Sequence, residues 1–254
     1  MKTLKNHTLL YDDDCPLCRV YTKGFIAAEM LDKNGKKPYC NLSEEEQIFI
    51  DIKRASNEIA LVDTKNKTVL YGIDSLLKII GFSFPWMQKI GYWKPVNYFL
   101  KKIYKFISFN RKVIVPSKIN KEIKLQCVPD FNFKYRCFYI IFTIIISSFI
   151  LSHYLKLVTN LKEINFIQVV TTESFLIITN FILVLKLKSE TVLNWIGNYQ
   201  TSILIGSILS SLFYIFNYLY RLPLMVNELI TILLILFVTL DAFRRYKLIQ
   251  INSK

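Results

Sequence analysis

The stretch TLLYDDDCPLCRVYTKGF, residues 8–25, decides the fold of the first half of the chain. Its first four residues are typical of a β-strand, and Pro16 suits the first turn of a helix, where its missing N–H costs no hydrogen bond. Cys15 then lies at the start of that helix, and Cys18 lies about one turn later on nearly the same side. The pattern predicts two neighbouring thiols where a strand turns into a helix.

Two cysteines at the start of a helix are suited to thiol–disulfide exchange. Unpaired backbone N–H groups and the helix dipole stabilise a thiolate there, and Cys-x-x-Cys pairs in this position often have a depressed pKa. We expect Cys15 to be the more exposed thiol and to attack a disulfide. Cys18 is then expected to resolve the mixed disulfide.

Three aspartates precede the pair, although a neighbouring carboxylate raises the pKa of a thiol. We expect Asp14 to cap the helix by accepting a backbone N–H bond. A buried aspartate could accept a proton during exchange, so Asp12 and Asp14 are both candidate catalytic residues. A site with this much negative charge is not suited to a strongly oxidising thiol.

The rest of the first domain alternates strand and helix patterns. Ser43 and Glu46 have the spacing of a capping box. EIALVD and TVLYG, joined by the polar turn TKNK, predict a β-hairpin. The helical pattern IDSLLKII follows and continues up to Gly81.

These segments resemble one known family. YDDDCPLC, with Asp12, Cys15 and Cys18, resembles the signature of the DCC family of thiol-disulfide oxidoreductases. IALVDTKNKTVLYGIDSLLKIIG resembles that family's hairpin and following helix, and IYKFISFNRK resembles its closing helix. The resemblance covers residues 7–113. It implies a thioredoxin-like α/β fold and redox activity on a protein or small-molecule thiol or disulfide.

The region 85–111 is helical, aromatic and basic, and it allows two interpretations. In its last part the apolar residues share one side of the helix, and three lysines lie elsewhere. The apolar residues are Val96, Phe99, Leu100, Ile103 and Ile107. Such a helix can lie on a membrane surface. It can equally be the last helix of the domain and pack on the sheet, which is the ordinary arrangement of an amphipathic helix.

The cysteines also allow two interpretations without redox chemistry. Cys15, Cys18, Cys40 and His7 would form a zinc site if the second strand, predicted at KKPYCNL, lay beside the first, although zinc sites usually contain two close pairs of ligands. The cysteines could instead be packing residues, since free cysteine is often buried. We expect no cofactor and no metal, and we interpret Cys127 and Cys137 as incidental, although Cys127 could be a mobile partner for the site.

The second half of the chain contains four long apolar runs, and a bilayer core takes about 20 helical residues. The runs are residues 137–155, 164–185, 191–220 and 222–240, interrupted only by Glu173 and Glu228. They lack the polar stripe of a soluble helix. They predict four transmembrane spans, at about 137–155, 164–185, 200–220 and 223–243.

Positive charge near the ends of the spans predicts the orientation. With the N-terminus in the cytoplasm, inner segments hold many more Lys and Arg residues than outer segments. We therefore expect a multi-pass protein of the cell inner (plasma) membrane with both termini cytoplasmic. The net charge of +14 fits an anionic leaflet, and no nucleic-acid motif accompanies it, so nucleic acid is not an expected partner.

Polar residues inside the spans are candidate functional residues, since an intramembrane charge is costly. Glu173 lies near the middle of the second span, and we expect it to bond to Asn180, Gln168 or a hydroxyl on another helix. Glu228 lies nearer the outer end of the fourth span, where it could reach water. Such residues more often join helices than transport a substrate.

The sequence thus predicts an α/β thioredoxin-like domain over 1–116, a linker over 117–134 and an all-α four-helix transmembrane domain over 135–247. The expected function is a membrane-anchored thiol-disulfide oxidoreductase with its Cys-x-x-Cys pair on the cytoplasmic face. The alternative is a non-catalytic subunit or scaffold of a membrane complex. A small transporter with a regulatory thiol domain is a third possibility.

Overall fold

The structure is a computed structural model that describes residues 2–118, 125, 127–159, 164–184, 189–221 and 223–253. The chain divides into two compact units, Met1–Phe131 and Asn132–Lys254. The first unit contains a mixed sheet with helices, and the second consists mostly of long helices over its described residues.

The first unit contains both strands and helices. They are β1 (His7–Tyr11), α1 (Pro16–Ala27), β2 (Lys36–Pro38), α2 (Glu44–Gln47), α3 (Ile52–Asn57), β3 (Ala60–Asp63), β4 (Thr68–Tyr71), α4 (Ile73–Ser83), α5 (Pro85–Tyr92) and α6 (Lys94–Ile114), with a 3₁₀ turn at Tyr39–Asn41. The predicted capping box is confirmed at α2: the Ser43 side chain accepts from the Glu46 N–H, and the Glu46 carboxylate accepts from the Ser43 N–H.

The four strands form one mixed sheet in the order β2-β1-β3-β4. β1 pairs with β2 in parallel, as expected for strands joined by a helix, and β1 pairs with β3 in the antiparallel sense. β3 and β4 form the predicted antiparallel hairpin. β1 is therefore an inner strand, and Asp12 and Cys15 in the turn that follows it are buried.

The sheet has a hydrophobic core on each face. Leu9 and Leu61 belong to one buried cluster, while Leu10, Ala60 and Val62 belong to the other. Neighbouring residues of β1 and β3 therefore serve opposite cores, because successive side chains of a strand point to opposite faces. The pairing of β1 with its neighbouring strands therefore fixes the position of its C-terminal end, which leads to the cysteine pair.

The predicted helical region 85–111 is divided into two helices at Trp93, whose backbone is extended. Pro95 has no N–H to donate to the carbonyl of Gly91. The Asn97 side-chain amide donates to that carbonyl instead, at 3.0 Å. The proline and the asparagine together explain why one helix ends and another begins.

α6 packs on the sheet, but not through its predicted apolar side. Phe99, Ile103 and Ile107 on that side are exposed. The buried residues near its C-terminal end are mostly polar; they are Ser108, Asn110, Arg111 and Val113. Hydrophobic periodicity shows which residues of a helix share its apolar side. In α6 the buried side is determined by polar contacts instead.

The second unit contains α7 (Phe133–Thr159), α8 (Phe166–Val184), α9 (Ser189–Tyr220) and α10 (Leu224–Ser253) among its described residues. Three helices are long and apolar enough to cross a membrane, over Phe133–Lys156, Ser189–Tyr220 and Met225–Ile251. The apolar part of α8 that is described, Phe166–Thr179, is shorter. The prediction of four spans is therefore not confirmed for the second one.

Candidate functional site

The cysteine pair lies where β1 leads into α1. Cys15 is the N-cap residue, Pro16 begins the helix, and Cys18 lies in the first turn. The Cys15 N–H donates to the Asp12 carbonyl at 3.2 Å, which closes the turn between strand and helix. The structure thus brings Cys15 and Cys18 to the predicted place, and both are free thiols.

The two sulfurs are buried in this reduced state. Cys15 has 0% of its surface exposed, and Cys18 has 6% exposed. The expectation that Cys15 is the more exposed thiol is therefore wrong. The reason is that β1 is an inner strand, so its C-terminal end places Cys15 inside the unit.

The two thiols have opposite pKa shifts. The hydrogen bond from the Cys18 thiol lowers the pKa of Cys15 from 9.0 to about 6, against the opposing effects of burial and of the Asp12 charge. The same bond, followed by burial, raises the pKa of Cys18 well above its ordinary value. Near neutral pH, Cys15 is thus a thiolate held by a protonated Cys18.

Asp12 is buried beside the pair with its negative charge balanced. Its Oδ2 lies 3.0 Å from Lys112 Nζ and 3.5 Å from Arg111 Nε. Its Oδ1 accepts the N–H of Asp14 at 3.0 Å. The carboxylate therefore fixes the turn before Cys15, and the positive charge of Arg111 on α6 opposes its effect on the pKa of Cys15.

Asp14 does not cap α1. Its side chain is exposed, and its backbone N–H is a donor to Asp12. Among the described residues, no side chain caps the first turn of α1, where Cys15 occupies the N-cap position. The predicted capping role is wrong because the turn uses Asp12 as its acceptor and leaves Asp14 facing solvent.

Arg111 is the site residue that the sequence analysis missed. It is 6% exposed, and its guanidinium donates to the carbonyls of Ser56, Asn57 and Cys127 at 2.9–3.0 Å. Its positive charge lowers the pKa of both Cys15 and Cys18. The signal for it was the Asn-Arg pair at the end of the closing helix, a single arginine in a helix whose other cations are lysines.

Cys127, which the sequence analysis interpreted as incidental or as a mobile partner for the site, lies in the same region. Its sulfur lies 3.5 Å from Arg111 Nη2 and 3.5 Å from the Ser56 carbonyl. Burial raises its pKa to about 12, so it is a protonated thiol. Cys18 and Cys127 both line a cavity of about 240 Å³, together with Tyr21, Ile59, Leu76 and Tyr104.

The zinc interpretation finds no support in the part of the chain that the structure describes. No group of three or more His, Cys, Asp or Glu residues there is arranged to hold a metal. His7 Nδ1 lies 2.8 Å from the Lys5 carbonyl, and its Nε2 lies 3.8 Å from Asp63. The thiol of Cys40 contacts Asn41 at 3.5 Å.

The second unit contains a buried polar cluster around Glu173. Its Oε2 accepts hydrogen bonds from Ser147 on α7 and from Gln200 on α9, each at 2.8 Å. The predicted bond to a hydroxyl on another helix is confirmed, and Gln200 was not predicted. The Asn180 side chain lies outside the described residues, and Glu228 is exposed on α10.

Comparison with known proteins gives a family for the first unit. Residues 9–115 match the model of the DCC1-like thiol-disulfide oxidoreductase family. No curated protein and no solved structure matches the chain. The match begins in β1 and ends just after α6, so it includes Asp12, both cysteines of the pair and Arg111. The chain therefore carries a DCC1-like thiol-disulfide oxidoreductase domain, followed by helices long and apolar enough to span a membrane.

Proposed function

We propose that the protein is a membrane-anchored thiol-disulfide oxidoreductase in which Cys15 is the nucleophile and Cys18 is the resolving thiol. The observation that carries this proposal is the position of the pair at the start of α1, where Cys15 is the N-cap residue and Cys18 lies in the first turn. In this position the interaction with the Cys18 thiol lowers the pKa of Cys15 to about 6. A thiolate at neutral pH is the reactive form of cysteine.

The exchange proceeds in two balanced steps. The Cys15 thiolate attacks one sulfur of a substrate disulfide, which forms a Cys15–substrate disulfide and releases the other substrate sulfur as a thiolate. That thiolate takes a proton, and Cys18, once deprotonated, attacks the Cys15 sulfur and releases the second substrate thiol. The substrate gains two electrons, the pair becomes a disulfide, and a cellular dithiol or monothiol reductant must restore it.

A thioredoxin-like fold is part of this proposal. The parallel pairing of β1 and β2 around α1, followed by the antiparallel strands β3 and β4 and a closing helix, supports it.

In this arrangement the cysteine pair lies at the C-terminal end of an inner strand. A substrate reaches Cys15 only when the site opens, since that residue has no exposed surface in the closed state.

The cytoplasmic location of the pair is also proposed, on the excess of Lys and Arg in the segments assigned to the inside. Thiols are kept reduced in the cytoplasm. The direction of reaction is then reduction of a partner protein or of a small-molecule disulfide. Electrons stay on one face of the membrane, because the sequence after Cys137 contains no further cysteine.

The test is capture of mixed disulfides by the full-length protein in its membrane. Cys18→Ser removes the resolving thiol, so a Cys15–substrate disulfide should accumulate and be identified by mass spectrometry after non-reducing isolation. Cys15→Ser should trap at least about tenfold less, because it lacks the reactive thiolate. Cys137→Ser on α7 is the matched control and should behave like the wild type. Equal trapping by both site variants would refute the assignment.

The burial of both sulfurs favours a second candidate, a scaffold that keeps a redox fold for binding. A scaffold predicts that Cys15 is alkylated no faster than an ordinary thiol and that Cys15→Ser leaves a membrane complex intact. Blue native electrophoresis of wild type and Cys15→Ser, with peptide-resolved alkylation rates, separates the two functions. Fast alkylation of Cys15 near neutral pH supports the oxidoreductase.

A further inference from the structure

α5 and α6 expose several large aromatic and aliphatic side chains. Trp86, Trp93, Tyr98 and Phe99 are each 61–67% exposed, and Ile90 is 52% exposed. We call these five residues, with Ile103, the α5–α6 surface. Large exposed apolar patches on a protein commonly mark an interaction site.

The α5–α6 surface is not the side that holds α6 to its own domain. The Tyr104 hydroxyl accepts the Ile59 N–H at 2.8 Å, and the Ser108 hydroxyl donates to the Asn57 carbonyl. Arg111 adds the contacts described above. Since α6 is already attached through this other side, the exposed aromatic residues are not required for its packing on the sheet.

The charge around this surface is mostly positive. Residues 75–121 contain no Asp or Glu, and five exposed lysines lie on the two helices: Lys89, Lys94, Lys101, Lys102 and Lys105. Lys101 is 3.3 Å from Asp74 and is therefore partly neutralised. Lys102 Nζ lies 5.3 Å from the centre of the Tyr98 ring, so cation and aromatic group are presented together.

We propose that the α5–α6 surface docks on the headgroup region of an anionic bilayer. Trp and Tyr are the residues enriched at membrane–water interfaces, and Lys can extend its charged end to anionic headgroups while its methylene stem stays in apolar surroundings. Negative lipids attract such basic segments. The same chain continues into helices long and apolar enough to cross a bilayer, so a lipid surface is a partner of fitting chemistry.

Tryptophan fluorescence of the full-length protein in lipid nanodiscs tests the proposal. The chain has three tryptophans, and Trp195→Phe leaves Trp86 and Trp93 as reporters on the α5–α6 surface. In nanodiscs of phosphatidylglycerol brominated near the headgroup end of its acyl chains, we expect emission to fall roughly twofold relative to unbrominated lipid. Iodide in the aqueous phase should then quench the emission of the two tryptophans only weakly.

Reversing the charge of lysines beside the α5–α6 surface distinguishes electrostatic docking on the bilayer from simple proximity to it. Lys94→Glu, Lys102→Glu and Lys105→Glu together should abolish most of the bromine quenching and restore quenching by iodide. The matched control reverses three exposed lysines elsewhere, Lys23, Lys33 and Lys65, and should keep the bromine quenching. The proposal is overturned if the reporters are quenched by iodide but not by bromine in anionic nanodiscs, or if the two triple variants behave alike.

Discussion

At the scale of single residues, the balance between Asp12 and its two cations determines the chemistry of the pair. Asp12 raises the pKa of Cys15, while Arg111 lowers it. The aspartate thus reduces thiolate character at Cys15 but holds the turn that positions this residue. Its charge is matched by Lys112 and Arg111, so the site does not carry a net negative charge from this residue alone.

The first prediction at this scale concerns Asp12→Asn. The amide keeps an acceptor for the Asp14 N–H but removes the negative charge, so the pKa of Cys15 should fall below its present value of about 6. The domain should also lose about 3 kcal/mol of stability, because Arg111 and Lys112 lose their buried partner. Peptide-resolved alkylation of Cys15 between pH 4 and 9 measures the midpoint.

The sign of the pH dependence follows from the same shift. Because folding depresses the pKa of Cys15, its thiolate stabilises the folded reduced protein above the ordinary thiol pKa, and this contribution is lost as pH falls through about 6. Asp13→Asn is the control, since Asp13 is exposed and lies 3.8 Å from Arg19. A Cys15 midpoint in Asp12→Asn that equals or exceeds that of the control would contradict this account.

Sequence patterns located the pair but not its surroundings, for a physical reason. Cys15 and Cys18 are close in the chain, so strand and helix signals were enough to place them. Arg111 meets the carbonyl of Ser56 across 55 residues, and no local pattern reports such a contact. Gln200 meets Glu173 across 27 residues in the same way. The exposure of Cys15 was mispredicted because it depends on which strand lies inside the sheet.

At the scale of elements, α6 joins two different environments. Its buried side carries Tyr104 and Arg111, and its exposed side carries the α5–α6 surface. Helical periodicity predicted the helix but allowed either side to face the sheet. The hydrogen bonds between polar side chains of α6 and the α3–β3 segment determine which side is buried. Local signals were sufficient for β1, the hairpin and the capping box, which depend on neighbours in sequence.

Tyr104→Phe tests how α6 is held. The change removes the acceptor of the Ile59 N–H and leaves that group unsatisfied, which should cost about 1–3 kcal/mol of domain stability. Tyr98→Phe is the matched control, because Tyr98 is exposed on the opposite side and should change stability little. Denaturant unfolding of the full-length Trp195→Phe protein in detergent, followed by Trp86 and Trp93 emission, measures both. Equal losses in the two variants would contradict the assigned sides of α6.

At the scale of the whole molecule, the number of spans determines where the C-terminus lies. Three helices meet the length and hydropathy expected of a span, while α8 contributes a shorter apolar stretch among its described residues. Four crossings put both termini on one side, and three put them on opposite sides. The bonds from Glu173 on α8 to α7 and α9 favour α8 as a member of the same bundle.

Reporter fusions provide the corresponding test. With four crossings and a cytoplasmic N-terminus, green fluorescent protein fused after Lys254 should fluoresce, and alkaline phosphatase fused after Arg221 should be active. The exchanged pair of fusions is the control and should give little signal. An active phosphatase after Lys254 would show an odd number of crossings and would contradict the predicted topology.

The complete enclosure of Cys15 has a kinetic consequence. If exchange requires the closed site to open first, turnover cannot exceed the frequency of opening, however much substrate is supplied. Different disulfides would then converge on one maximal velocity while differing in the concentration needed to approach it. The maximal velocity would then be a property of the protein, determined by how stably the segments around Arg111 hold the site closed. It would not report the intrinsic nucleophilicity of the thiolate.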